Sequence, residues 1–211
     1  MNLLSLGTAQ RRLFAIHEAA APTQRTRAAV LCQPLGTEYT YAHRSMRQLA
    51  VRLAMSGIHT LRFDYYGTGD SAGNDSEADL AGCETDLESA MEALADIAGT
   101  PRLTLIGLRA GANIAAHVAA RRRADAEVLV LWDPLPSDDL WSLADALPER
   151  TAIFITDSTQ SCDTIRRTAL GSGARPVPIE FVPTQCPWLE SATTSGMLPV
   201  PVIQRMLEWL H

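Results

Sequence analysis

Residues 103–115 read Leu-Thr-Leu-Ile-Gly-Leu-Arg-Ala-Gly-Ala-Asn-Ile-Ala. The first part is an apolar run typical of a buried strand, and the residues from about 110 onward suit a helix. Gly107 and Gly111 flank Arg109, and glycine allows a strand and a helix to pack closely around one sharply turned residue. The stretch therefore predicts a strand–turn–helix unit with Arg109 at the turn.

The spacing Gly107-x-Arg109-x-Gly111 has the layout of a nucleophile elbow, G-x-S-x-G, with arginine in place of serine. A guanidinium keeps its proton at ordinary pH and cannot attack an acyl carbon. The turn is therefore kept while the usual nucleophile is absent.

Strand-like apolar runs alternate with helical periods along the chain. This alternation predicts one α/β domain over residues 1–211, with a mostly parallel central sheet, helices on both faces and a minimal lid or none. In the longest helix, Leu80, Cys83, Leu87, Met91 and Leu94 recur every three or four residues and are expected to face the sheet. We predict strands at 11–17, 28–33, 60–64, 102–106, 127–132, 151–156 and 177–182, and helices at 43–56, 77–98, 110–122, 137–146, 160–170 and 199–210.

The composition indicates a globular protein without membrane or nucleic-acid partners. Of the 211 residues, 46% are hydrophobic and 20% charged, and the net charge of -6 does not favour nonspecific nucleic-acid binding. No run is apolar enough to span a bilayer, and residues 1–10 do not resemble a signal peptide. The four cysteines are scattered without metal-ligand spacing, so we expect a reduced, cytoplasmic protein without metal. The glycines of residues 67–69 lack the dinucleotide pattern, and we expect no cofactor.

Three motifs in order carry a resemblance to a known superfamily. They are residues 33–38 (Gln-Pro-Leu-Gly-Thr-Glu), residues 63–71 (Phe-Asp-Tyr-Tyr-Gly-Thr-Gly-Asp-Ser) and the elbow at 107–111. Together they resemble α/β-hydrolases related to serine aminopeptidases and monoacylglycerol lipases. More closely, the chain is similar to the small exosortase-system-associated hydrolase-like proteins. The resemblance implies the α/β-hydrolase fold over the whole chain and a structural role for Ser71.

The resemblance also implies a catalytic triad in the order nucleophile, acid, histidine. The nucleophile position is Arg109, and the acid position is Asp157, with Asp133 as a second candidate. The histidine belongs in the loop at 183–198, which contains none. A conventional Ser-His-Asp mechanism is therefore not expected.

The oxyanion hole does not depend on side chains and is expected to persist. The resemblance places one donor at the backbone N–H of Ala110 and the other at Leu35 or Gly36. With the helix N-terminus and the charge of Arg109, these amides predict a site for a carboxylate, phosphate or thioester oxygen. The alternative is that Arg109 pairs with Glu38 and the ion pair fills the old active site.

Other residues near this site have two interpretations each. His43 either reaches the pocket mouth as a base or packs against its helix, and Cys32 is either a substitute nucleophile or a buried thiol. Trp188 either lines the pocket or holds its loop to the core. If the protein performs chemistry, Arg109 stabilises developing negative charge while Glu38, His43 or Asp157 moves a proton.

Three functional hypotheses follow. The first is a hydrolase-fold protein that binds or processes a small acyl or carboxylate compound through Arg109 and the oxyanion amides. The second is a pseudoenzyme that serves as scaffold or partner of another enzyme, and the third is an esterase with a relocated nucleophile. A homodimer remains open, because hydrolases of this type often pair through the edge strand and last helix.

Overall fold

The computed structural model describes residues 1–23, 26–156, 159–171, 175–188 and 198–211, with the backbone alone at Asp138, 159–161 and 169–171. Within these ranges there are eight strands: β1 Asn2–Gly7, β2 Arg12–Glu18, β3 Arg27–Cys32, β4 Ile58–Phe63, β5 Leu103–Leu108, β6 Ala126–Trp132, β7 Arg150–Ile155 and β8 Ile179–Phe181. They form one sheet in the order β1-β2-β4-β3-β5-β6-β7-β8.

The sheet is mostly parallel, as predicted. Strand β2 runs antiparallel to both of its neighbours, and all pairs from β4 and β3 through to β8 are parallel. The crossovers between parallel strands place helices over the sheet. Strand β1 was not predicted, because it is an edge strand whose side chains are at best half-buried and whose apolar pattern is correspondingly weak.

Helices cover both faces of the sheet, which confirms the predicted architecture. Helices α1 and α6 pack on one face, and α2 to α5 contribute to the core on the other. The β6–β7 connection contains only a short helix, in agreement with a minimal lid. The helices are α1 Thr37–Met55, α2 Leu80–Ala98, α3 Ala110–Arg121, α4 Asp138–Ser142, α5 Thr159–Gly171 and α6 Val200–Leu210.

Two details of the helices differ from the prediction. Helix α1 begins at Thr37 rather than near residue 43, because its first turn is polar and carries no apolar period. This places Glu38 in the first turn, where the helix dipole favours a negative charge. Leu80 is 64% exposed rather than facing the sheet, since it is the first residue of α2, directly after the Asp79 N-cap.

None of the helices in the described ranges is long and apolar enough to cross a membrane.

Candidate functional site

The elbow between β5 and α3 has the sharp turn that its glycines predict. Arg109 adopts φ 56° and ψ -124°, a left-handed conformation that costs a non-glycine residue about 1–3 kcal/mol. A Cβ on Gly107 would lie 2.3 Å from the carbonyl oxygen of Gly111, and one on Gly111 would lie 2.3 Å from that of Cys32. Both obstacles are backbone atoms, so only glycine fits on either side of Arg109.

The Arg109 side chain forms an ion pair with Glu38. Its Nε donates to Glu38 Oε1 at 3.1 Å, and its Nη1 donates to the backbone carbonyl of Asp133 at 3.4 Å. The two charged side chains are 15% and 25% exposed. No residue that the structure describes accepts a hydrogen bond from Nη2. The Glu38–Arg109 ion pair, one of the two alternatives predicted from the sequence, is therefore present. It leaves Nη2 of the guanidinium without an acceptor among the described residues.

Backbone N–H groups without an acceptor lie in the two segments that meet at the elbow. The close approach of Gly111 to the end of β3 sets the loop of residues 33–36 against the elbow. The amides of Leu35, Gly36 and Ala110 donate to no acceptor within the described ranges, and Ala110 is the first residue of α3. Unpaired amides at a helix N-terminus beside a cation suit an anion.

Asp133 is buried directly behind the elbow. It follows β6 with φ 42° and is 2% exposed. Its carboxylate accepts the Thr156 N–H at 2.6 Å and also the Thr156 hydroxyl. The Cys186 Sγ lies 3.2 Å from the Thr156 hydroxyl oxygen and 4.0 Å from Asp133 Oδ2. The second candidate acid is thus held by Thr156, the residue directly after β7, and its backbone carbonyl accepts the hydrogen bond from Arg109.

Thr156 and Cys186 were not singled out from the sequence. Cys186 lies after β8, in the loop where the resemblance implies a histidine, and it is 8% exposed. The sequence signal for Cys186 is its position, because it is a polar side chain in the loop of residues 183–198.

Trp188 belongs to the core. It is buried and packs edge-to-face on Trp132, with ring centroids 4.9 Å apart. Its contacts are those of the second interpretation, in which the residue holds the loop to the sheet. Its indole Nε1 has no hydrogen-bond partner within the described part of the chain.

The remaining candidates lie apart from Arg109 or outside the described residues. Asp157 lies outside the described residues. His43 is exposed and stacks edge-on against Tyr39, 6.3 Å between ring centroids, and no contact to Arg109 is seen in the described ranges. Partial loss of water lowers the pKa of His43. Cys32 is fully buried, and burial raises the pKa of its thiol, so it stays protonated and away from solvent.

The glycine-rich turn after β4 is structural. Asp64 accepts hydrogen bonds from Gln33 Nε2 at 2.8 Å and from the Tyr39 hydroxyl at 2.9 Å. Ser71 donates its hydroxyl to the Asp64 carbonyl at 2.6 Å and accepts the Phe14 N–H at 2.9 Å. These bonds fasten the turn to β2 and α1, the structural role that the resemblance implies for Ser71.

Comparison with known proteins supports the superfamily. A family model described as serine aminopeptidase, S33, matches residues 38–156, more than half of the chain. No curated protein sequence matches the chain.

Three solved structures illustrate the likeness of fold. The lidless α/β serine hydrolase XC6422 of Xanthomonas campestris is 20% identical with a TM-score of 0.76, covering 99% of this chain and 93% of its own. Dienelactone hydrolase of Anabaena variabilis is 16% identical, TM-score 0.76, with coverage of 99% and 95%. Est1E of Butyrivibrio proteoclasticus, whose structure holds ferulic acid, is 14% identical, TM-score 0.73, with coverage of 98% and 99%. At these identities the likeness shows the α/β-hydrolase fold alone.

Proposed function

The chain belongs to the serine aminopeptidase S33 family of α/β-hydrolases, and from that premise we propose that it binds a small carboxylate or acyl compound at the elbow. The observation that carries this proposal is the contact between Glu38 and Arg109. A carboxylate already lies against a guanidinium at the position where the elbow pattern keeps its nucleophile. A ligand carboxylate that displaces Glu38 finds the same charge and geometry.

Two features support a ligand in place of Glu38. Glu38 is on the exposed first turn of α1, so its side chain has room to turn into solvent. The amides of Ala110, Leu35 and Gly36 supply further donors for a second oxygen. Est1E, a structural relative, holds ferulic acid, which is itself a carboxylic acid.

The proposal does not include an acyl-enzyme. Arg109 cannot act as a nucleophile, and the buried Cys32 thiol is out of reach of a substrate. If the bound acyl compound reacts, Arg109 and the amides stabilise developing negative charge on its oxygen. Glu38, which the ligand displaces from Arg109 but which stays on the adjoining first turn of α1, would then carry the proton.

A scaffold without ligand is the second candidate, and the same ion pair favours it. If Glu38 stays on Arg109, the pair fills the site and the protein acts through a partner enzyme. The two candidates differ in whether Glu38 leaves when a carboxylate is offered.

Calorimetric titration with acetate, butyrate and hexanoate tests the proposal. We expect the wild-type protein to bind at least one of these acids, and Arg109→Ala to bind it about tenfold to a hundredfold more weakly. Arg123→Ala removes an exposed arginine after α3 and serves as the matched control with unchanged affinity. Equal binding by the Arg109→Ala protein would contradict the proposal, and no binding of any acid by the wild-type protein would favour the scaffold.

A further inference from the structure

A second arginine is buried without a partner. Arg62 lies near the end of β4 and is 3% exposed. Its Nε donates to no acceptor, and its guanidinium forms no ion pair within the described ranges. Burying an unpaired charge is costly, and proteins ordinarily pair such a group or bind an ion to it. Arg62 therefore holds a buried donor without an acceptor, on a charged group that has no ion-pair partner within the described ranges.

The Arg62 side chain points toward helix α1. Thr60, two residues earlier on the same face of β4, donates its hydroxyl to the Ala50 carbonyl of α1 at 3.2 Å. Tyr39, His43 and Arg47 recur at every fourth position of α1 and so form one stripe along it. The stripe lies on the side of α1 that faces Arg62, because Tyr39 bonds Asp64 just after β4.

Arg62 lies between this stripe and strand β2. In the sheet its register partner on β2 is Ile16, which is half-buried. His43 and Arg47 are exposed and lie on the adjoining side of α1. The pKa of His43 is lowered first by burial and then by the charges of Arg62 and Arg47, which follows from their proximity. Two cations and an imidazole thus lie near one another between α1 and β2.

The nearby carboxylates raise the pKa of Arg62, but burial lowers it by more. Asp64 and Glu18 are the acids that act on its charge. Asp64 Oδ1 accepts two side-chain hydrogen bonds, and Glu18 lies 3.4 Å from the N-terminal amino group. Neither forms an ion pair with the guanidinium.

We propose that Arg62, with the exposed Arg47 and His43 on the adjoining side of α1, binds a small oxyanion between α1 and β2. A guanidinium offers parallel N–H donors that match either a carboxylate or a phosphate group. The site is separate from the elbow, because Glu38 and His43 differ by five helical positions, about 140° around α1. The proposal for Arg62 does not depend on ligand binding at Arg109.

Titration in an Arg109→Ala background isolates this site. Inorganic phosphate and acetate are titrated into the Arg109→Ala protein and into the same protein carrying Arg62→Met, Arg47→Met or, as control, Arg123→Met. We expect Arg62→Met to weaken binding of the preferred anion about tenfold or more, Arg47→Met several-fold, and Arg123→Met not at all. Whichever of the two anions binds more tightly, phosphate or acetate, shows whether the site prefers a phosphate or a carboxylate group.

Thermal unfolding gives a second readout that a structural arginine would not produce. Because Arg62 is buried without a partner, we expect Arg62→Met to raise Tm in the absence of anion and to abolish the rise in Tm caused by the anion. Should Arg62→Met fail to fold, the exposed Arg47→Met still reports on binding. Absence of anion binding, binding unaffected by Arg62→Met and Arg47→Met, or an anion-induced rise in Tm that persists in Arg62→Met would each overturn the proposal.

Discussion

Replacing Glu38 by glutamine is expected to tighten carboxylate binding at the elbow. Glutamine keeps the length of the side chain and removes the charge that competes with a ligand for Arg109. A ligand carboxylate that binds the wild-type protein must first break the Glu38–Arg109 pair. In Glu38→Gln that cost is absent.

The size of the effect follows from the geometry of the pair. One contact, Nε to Oε1 at 3.1 Å, joins two side chains that are 15% and 25% exposed. Ion pairs of this partly exposed kind contribute about 0.2–1 kcal/mol. The Kd of the ligand is therefore expected to fall by about 1.4-fold to fivefold. The lost pair and the lost charge at the start of α1 together destabilise the protein by about 0.5–2 kcal/mol, a fall in Tm of about 1–8 °C.

Calorimetric titration with butyrate and differential scanning calorimetry check the two effects in the same preparations. Glu149→Gln, at an exposed carboxylate after α4, makes the same chemical change elsewhere and is the control. In Glu38→Gln we expect the affinity for butyrate to rise and the Tm to fall. In Glu149→Gln we expect both to stay constant. A folded Glu38→Gln protein with equal or weaker affinity would refute the idea that Glu38 occupies the ligand's place.

Three further outcomes are expected. Gly111→Ala places a Cβ 2.3 Å from a carbonyl oxygen of β3 and should lower the free energy of unfolding in urea by about 3 kcal/mol or more. Gly99→Ala meets no atom and should cost only the strain of its left-handed φ of 65°, about 1–2 kcal/mol; equal costs would contradict the close packing of the elbow. Burial lowers the pKa of His17, so the unfolded state binds the proton better, and the unfolding free energy should decrease as the pH falls below about 6.5. His17→Gln should flatten this decrease in pH-dependent urea titrations, and an unchanged slope would count against it. Arg109→Ser restores the elbow pattern, yet p-nitrophenyl acetate should be hydrolysed no faster than in buffer, because residues 183–198 contain no histidine; a rate above buffer would reveal another base.

The fold was predictable where the sequence pattern reports burial directly. Seven of the strands lie in fully or half-buried positions and show as apolar runs, and the elbow shows in the spacing of Gly107 and Gly111. Strand β1 and the first turn of α1 escaped prediction. Strand β1 is largely exposed and is defined by its pairing with β2, whereas the first turn of α1 is polar and is defined by its own backbone hydrogen bonds.

Contacts within the site were predictable only where the order of strands in the sheet brings two loops together. The loop after β3 must approach the elbow after β5, because the two strands are adjacent and parallel, so the Glu38–Arg109 pair was among the alternatives. The position of His43 was not fixed, since the face of a helix depends on where the helix begins. The contact of Cys186 with Asp133 joins segments from different strands and has no local signal.

A crystal structure of the protein soaked with butyrate tests the central claim most directly. The account predicts the butyrate carboxylate against the Arg109 guanidinium, with an oxygen within hydrogen-bond distance of the Ala110 N–H and with Glu38 turned into solvent. Glu38 still paired with Arg109 at saturating butyrate, with no ligand at the elbow, would contradict it.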